Sequence, residues 1–375
     1  MVHDSGWNGP HGDGPYAGPP HAGAPQPPPP GWGGGGWMPP HPPPPKPGVI
    51  PLAPLSLGDI LDGSMSTVGR YWKQLFGIAV LMYGGALLVT LAALGIAYSA
   101  TSDSLDKVVD AAQYDDSLDS DVVAPLVIAF VLVFLVAVLA MVVANAAIMA
   151  ACPAVLQEAV LGRRTTLGAV WRRAWARVPA VIGAMLLPWL VAMLVMGIFM
   201  VSYVALIVSL VSDDASGAWA VLGFLLLLAC IPVAVWVWVL FSLAPAAVVF
   251  ESQRPVAALR RSARLVKGSW WRIFGITMLA WVIAMIAGYI VQMPLTIIGM
   301  MSSMPGMADM GPEPGVGEVL TAMAGYLVFI MLGSMISQII AATFPPLVTG
   351  LLYVDQRIRR ENLAPALAEA AAAPH

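Results

Sequence analysis

The chain has 375 residues, 59% of them hydrophobic and 10% charged, with a mean hydropathy of +0.80. An ordinary soluble domain carries about 25% charged residues. This chain has too little charge to cover a globule of its size, which excludes a soluble enzyme, a disulfide scaffold and a nucleic-acid binder. The net charge of −3 matters less than where the charges sit.

Residues 1–48 hold 16 Pro and 12 Gly and almost no aliphatic side chains. Proline lacks an amide donor and fixes φ, and glycine adds backbone entropy. Residues 1–55 are therefore expected to be a disordered cytoplasmic tail with short polyproline II stretches. His3, His11, His21 and His41 read as solvated spacer residues there, because an unfolded segment holds no coordination geometry. PQPPPPGW and PHPPPPKPG have the composition of ligands for a polyproline-binding groove. A cytoplasmic protein partner is one reading of the tail, and a flexible spacer is the other. No cleavable signal peptide is expected, because the first long apolar run begins near Leu75. Cys152 and Cys230 lie inside apolar runs and imply no disulfide framework.

A helix rises 1.5 Å per residue, so crossing a hydrocarbon core of ~30 Å takes about 20 residues. Six apolar runs reach that length, approximately 75–99, 122–151, 180–210, 218–249, 273–301 and 318–349. They do not alternate as barrel strands would. The fold class is all-α: a polytopic membrane protein with six transmembrane helices. Residues 56–354 form the membrane domain and 355–375 a short cytoplasmic tail. Pro188, Pro232 and Pro294 fall within runs and predict kinks.

The connections set the orientation. The first, TSDSLDKVVDAAQYDDSLDSD, has seven Asp and one Lys. Its residues DDSLDSD lack the Gly turn of a Ca²⁺ loop, so it reads as a solvated acidic loop. The second carries Arg163, Arg164, Arg172, Arg173 and Arg177, and the fourth Arg254, Arg260, Arg261, Arg264, Lys267 and Arg272. The third and fifth carry Asp213, Asp214, Asp309, Glu313 and Glu318. With Lys46, Arg70, Lys73, Arg357, Arg359 and Arg360, seventeen basic residues fall on one side against Lys107 on the other. The positive-inside rule then places both termini in the cytoplasm.

Self-similarity divides the chain further. WKQLFGI (72–78) aligns without gaps on WWRIFGI (270–276), with four of seven positions identical. The even runs end alike, at Pro153, Pro245 and Pro345–Pro346, and Glu158, Glu251 and Asp355 follow. The pattern reads as three copies of a short cytoplasmic helix, a span out and a span back. Each short helix has an apolar stripe: Leu57, Ile60, Leu61, Met65, Val68 and Trp72; Leu167, Val170, Trp171, Ala174, Trp175 and Val178; Val256, Leu259, Ala263, Val266 and Trp270. This is amphipathic spacing, suited to the headgroup layer with Trp at interface depth. Ser56 with Asp59 makes a capping box, and Pro255 suits a first helical turn.

Chemistry-bearing groups are scarce. There is no Gly-rich phosphate loop, no H-E-x-x-H, no zinc-spaced Cys pair and no G-x-S-x-G. No Asp, Glu, Lys or Arg appears mid-span, which disfavours ion-coupled transport. Two patterns remain. Arg172, Arg173, Arg177, Arg260, Arg261, Arg264, Lys267 and Arg272 are candidate contacts for anionic lipid headgroups, at about 1 kcal/mol each near the surface. The alternative is that they only enforce topology. Asn145 lies eight residues before Pro153 and Gln338 eight before Pro346, with Val237 at the middle position. Asn145 and Gln338 are a candidate intramembrane polar site. Their other reading, shared with Gln292, is an ordinary interhelical hydrogen bond, worth about 0.6–2 kcal/mol.

The stretch PLAPLSLGDILDG, from Pro51 to Gly63, resembles the opening of a group of actinobacterial multi-pass proteins. They are similar to the membrane domain of certain glycerophosphoryl diester phosphodiesterases. The resemblance implies a membrane location and a six-span layout over roughly residues 51–360. In the fused relatives cleavage belongs to a separate soluble barrel, so the resemblance supplies no catalytic residue here.

The sequence therefore reads as a multi-pass protein of the bacterial cytoplasmic membrane, with no catalytic role and no cofactor. It would act as a scaffold or accessory module touching lipid headgroups, with a transporter of a lipid or small amphiphile as the alternative.

Overall fold

The structure is a computed structural model that describes residues 48–51, 53–114, 120–211, 217–308, 311, 316–361, 365 and 369. The expectation of disorder for residues 1–47 lies outside the described residues, as do Asp115, Asp116 and Asp119 and the histidines. Among the described residues there are nine α-helices and no strand. Among the described residues six apolar stretches are long enough to cross a membrane, and each overlaps one of the six runs read from the sequence.

The first long helix, α1 (Leu57–Tyr114), opens on the capping box. The Ser56 N–H donates to Asp59 Oδ2 at 2.9 Å, and the Asp59 N–H donates to Ser56 Oγ at 3.2 Å. The short amphipathic helix expected before the first span is not separate. It runs into the span across a dihedral break at Tyr71 (φ −117°, ψ 24°). Pro188, Pro232 and Pro294, where kinks were expected, sit inside α4 (Val178–Val211), α5 (Gly217–Phe241) and α8 (Trp270–Ala308) without such a break. Past Tyr71, α1 extends for roughly 65 Å at 1.5 Å per residue, about twice a hydrocarbon core.

α1 packs along α2 (Ser120–Val160), α4 along α5, and α8 along α9 (Val316–Glu361). Small residues let α8 and α9 approach closely: a Cβ on Gly306 would lie 2.9 Å from the Ala322 Cα. Ser337 Oγ donates to the Gly288 carbonyl at 2.9 Å and to Gln292 Oε1 at 3.2 Å, so Gln292 serves as an interhelical tie. Between the pairs lie α3 (Leu167–Trp175), capped by Thr166 Oγ1 on the Ala169 N–H, and α7 (Pro255–Val266), with proline in its first turn. α5 stops at Phe241, and the chain restarts at α6 (Ala244–Glu251). The buried Ser262 hydroxyl on α7 donates to the Leu240 carbonyl at 2.7 Å, taking up one of the orphaned groups at that helix end.

The core sits at one end of these helices. It gathers α2 from Ala144 onward, α6, and α9 from Phe344 to Ile358, with the inner faces of α3 and α7. Segments at both ends join it. Val49, Ile50 and Leu55, given to the tail on composition, are buried in this core, and the Val49 N–H donates to the Ala159 carbonyl at 3.1 Å. At the other terminus Asp355–Glu361 continues α9, with Asp355, Gln356 and Ile358 buried. Composition undercounted both segments because a few apolar residues suffice once a groove exists to receive them. Gly63 leaves that room, since a Cβ there would meet Ile50 Cγ2 at 2.7 Å.

Candidate functional site

The short helices at the buried end have distinct faces. At the start of α1, Ile60, Gly63, Ser64, Thr67 and Tyr71 turn inward. Leu57, Met65 and Trp72 of the expected stripe are exposed, and Asp62, Ser66 and Lys73 lie on the remaining side. α3 repeats this, with Val170 and Ala174 inward, Leu167 and Trp175 exposed, and Arg172 and Arg173 beyond them. At the start of α1 the packed face is thus rotated away from most of the stripe, about a quarter turn at 100° per residue, whereas in α3 Val170, Ala174 and Val178 of the stripe are themselves buried. In α7, Leu259 and Val266 of the stripe are buried in protein, and its exposed face presents Val256, Arg260, Arg264 and Lys267.

The eight basic candidates divide accordingly. Arg172, Arg260, Arg264 and Lys267 are exposed, and their side chains form no ion pair among the described residues. Arg173 Nη1 pairs with Glu158 at 2.6 Å, and Arg177 Nη2 donates to Ser252 Oγ at 2.7 Å. Arg261 and Arg272 are held in ion pairs. Arg261 lies 2.9 Å from Glu251 and 2.5 Å from Glu361. Burial works against its charge, but the hydrogen bonds it donates to the two glutamates outweigh that and hold the guanidinium more firmly protonated than an ordinary arginine. Arg272 pairs with the buried Asp355 and donates to the Leu55 carbonyl at 2.8 Å. A buried carboxylate needs such partners, so these two cations are committed within the protein.

Three acidic residues tie the short helices and the segment before α1 to their neighbours. Glu158 reaches Arg173 on α3, and Glu251 reaches Arg261 on α7. Asp355 Oδ1 accepts from the Leu55 N–H at 2.8 Å, just ahead of α1. Arg359 completes this clamp, at 2.9 Å from Asp355 and 2.8 Å from the Leu55 carbonyl. Around Glu251, the buried Tyr353 donates a hydrogen bond, Gln253 Nε2 donates at 2.6 Å and Arg357 lies 3.5 Å away. Sequence reading had given Arg357 and Arg359 to topology alone.

Deeper in the spans, Asn145 and Gln338 come together through a residue the sequence reading did not single out. Tyr83 Oη donates to Asn145 Oδ1 at 3.0 Å and accepts from Gln338 Nε2 at 3.3 Å. Tyr83 was visible as a phenol in an otherwise apolar run, but nothing in the sequence ties α1 to α9. The cluster stands at one end of an open cleft of about 630 Å³ between α1, α2 and α9, lined by Tyr83, Gln338, Thr90, Ser334 and apolar side chains. A second cleft, between α5 and α8, is lined by Trp236, Trp270, Trp271 and Phe274 and has no comparable polar cluster. Among the described residues no group of three or more His, Cys, Asp or Glu could hold a metal ion.

Comparison with curated proteins finds no match, and neither does comparison with solved structures. A family model described as "Domain of unknown function (DUF7847)" matches residues 108–347. That stretch begins after the Pro51–Gly63 motif, so the match is independent of the resemblance drawn from that opening. It spans most of the membrane part, from the end of α1 into α9, and on that extent the chain belongs to the DUF7847 family.

Proposed function

We propose that this chain is a non-catalytic scaffold or accessory module of the bacterial cytoplasmic membrane. Its spans form three hairpins, each preceded by an amphipathic cytoplasmic segment, and it contacts anionic lipid headgroups at its cytoplasmic end. The observation that carries the reading is the build of α3 and of the start of α1: one face docked on protein, one exposed apolar face with Trp, one charged face. A helix held so can lie in the headgroup layer, its Trp at interface depth and its charges toward water and phosphate. Arg260, Arg264 and Lys267 on the exposed face of α7 supply positive charge at the same end. The Pro-rich segment ahead of residue 48 would then offer a cytoplasmic partner a polyproline ligand.

Substituting Arg260, Arg264 and Lys267 together by Gln should weaken binding of phosphatidylglycerol in native mass spectrometry. At about 1 kcal/mol per cation the loss is about two orders of magnitude. Arg261→Gln should lower the melting temperature and leave lipid retention intact. Unchanged lipid occupancy in the triple variant would remove the headgroup assignment. Orientation has its own measurement: a reporter inserted at Asp115 should be active only outside the cytoplasm, and cytoplasmic activity there would invert the topology.

A further inference from the structure

The hydrogen bonds around Tyr83 have a direction. The Met141 carbonyl can only accept, so Asn145 turns its Nδ2 toward it, at 2.9 Å. That orients Asn145 Oδ1 to receive the Tyr83 hydroxyl. A hydroxyl that donates there offers Gln338 only its lone pairs, and Gln338 answers with Nε2. The relay therefore ends on Gln338 Oε1, an acceptor with no hydrogen-bond partner among the described residues. One Nε2–H of the same amide is also unspent.

The position makes that unmet demand consequential. Tyr83 lies eleven residues past Trp72. With Trp72 at the interface, this is roughly 16 Å along the helix, near the middle of a ~30 Å core, where lipid tails offer no hydrogen bond. From the cluster the cleft runs along α1 to Thr90, along α2 to Ala137 and along α9 to Val328. Its walls include Ala86, Leu87, Met141, Leu332 and Met335. Thr90 and Ser334 also line it, but each donates its hydroxyl to its own helix backbone, to Ala86 and Met331. Val328, Met331 and Leu332 are exposed, so the slot is open to the bilayer. No charged side chain lines it. The volume is within the range of small-molecule sites, roughly 300–1,000 Å³.

The geometry points to a binding site for one uncharged lipid that ends in a hydroxyl, such as a prenol, with its chain along the cleft and its O–H donating to Gln338 Oε1. A hydroxyl satisfies both open positions of the amide, since it also accepts from Nε2. A carbonyl-only head group, as in a quinone, leaves Oε1 unpaired. A phosphorylated head group brings a charge to mid-membrane with no cation to meet it. The site is independent of the cytoplasmic cations, and its test leaves them untouched.

The protein in phosphatidylcholine nanodiscs would be titrated with geranylgeraniol, with its O-methyl ether, which cannot donate, and with geranylgeranyl phosphate. Native mass spectrometry would read occupancy. The alcohol should bind about tenfold more tightly than the ether, the scale of one hydrogen bond to a buried acceptor, and more tightly than the phosphate. Gln338→Leu should bring the alcohol to the level of the ether. Tyr83→Phe, which unlocks the relay, should shrink the same difference and serves if Gln338→Leu fails to fold, as judged by its melting temperature. Equal binding of alcohol and ether, tighter binding of the phosphate, binding of none of the three, or a preference that survives in the folded variants would each overturn the assignment.

Discussion

Between Ser120 and Val143 no side chain of α2 is buried, yet this is the more apolar part of the helix; from Ala144 to Val160 most are. The outer stretch is Leu, Val and Phe, and the buried stretch is largely Ala with Cys and a single Pro. Apolar character and burial in protein thus run in opposite directions along one helix. In lipid there is no hydrophobic gain in moving a leucine from solvent to protein, so large side chains remain facing outward. At the other end small residues allow the backbones close together. Cohesion there comes from tight packing, the Asp355 clamp and the Glu251 network.

That contrast can be broken most sharply at Asp355. Asp355→Ala strands Arg272, Arg359 and the Leu55 N–H, and should cost about 3–5 kcal/mol, the scale of breaking a buried pair. Thermal unfolding in detergent would measure it, and limited proteolysis should show residues 48–56 released. A melting temperature unchanged from the parent would mean that the clamp does not hold the bundle. Next comes packing. Leu351 is fully buried and Leu139 is 66% exposed. Leu351→Ala should cost about 2–5 kcal/mol, and Leu139→Ala should stay within about 0.5 kcal/mol. Equal losses would show that the outer stretch is packed by protein, through a second copy of the chain, and would end the lipid-facing reading of these side chains.

Parts of the site were legible in the sequence because the signal was local. The capping box of Ser56 and Asp59 needs four residues, and the placement of Asn145 and Gln338 eight residues before their prolines needs only the repeat. The stripes of the short helices were also visible, but their use was not. Periodicity marks apolar residues without saying which of them protein covers, and so the buried Val170 and the exposed Trp175 of one stripe looked alike. Arg272 read as a headgroup contact because its carboxylate partner, Asp355, lies far along the chain; Arg261 has one partner, Glu251, nearby in sequence and a second, Glu361, far along it.

By itself the sequence determined the six membrane-length helices. Helix length and hydropathy are properties of consecutive residues. The tertiary structure alone decided which cations stay exposed, that Val49, Ile50 and Leu55 belong to the core, and that Tyr83 joins Asn145 to Gln338. Each of these depends on groups from distant segments meeting within hydrogen-bond reach, and no local pattern specifies which segments meet.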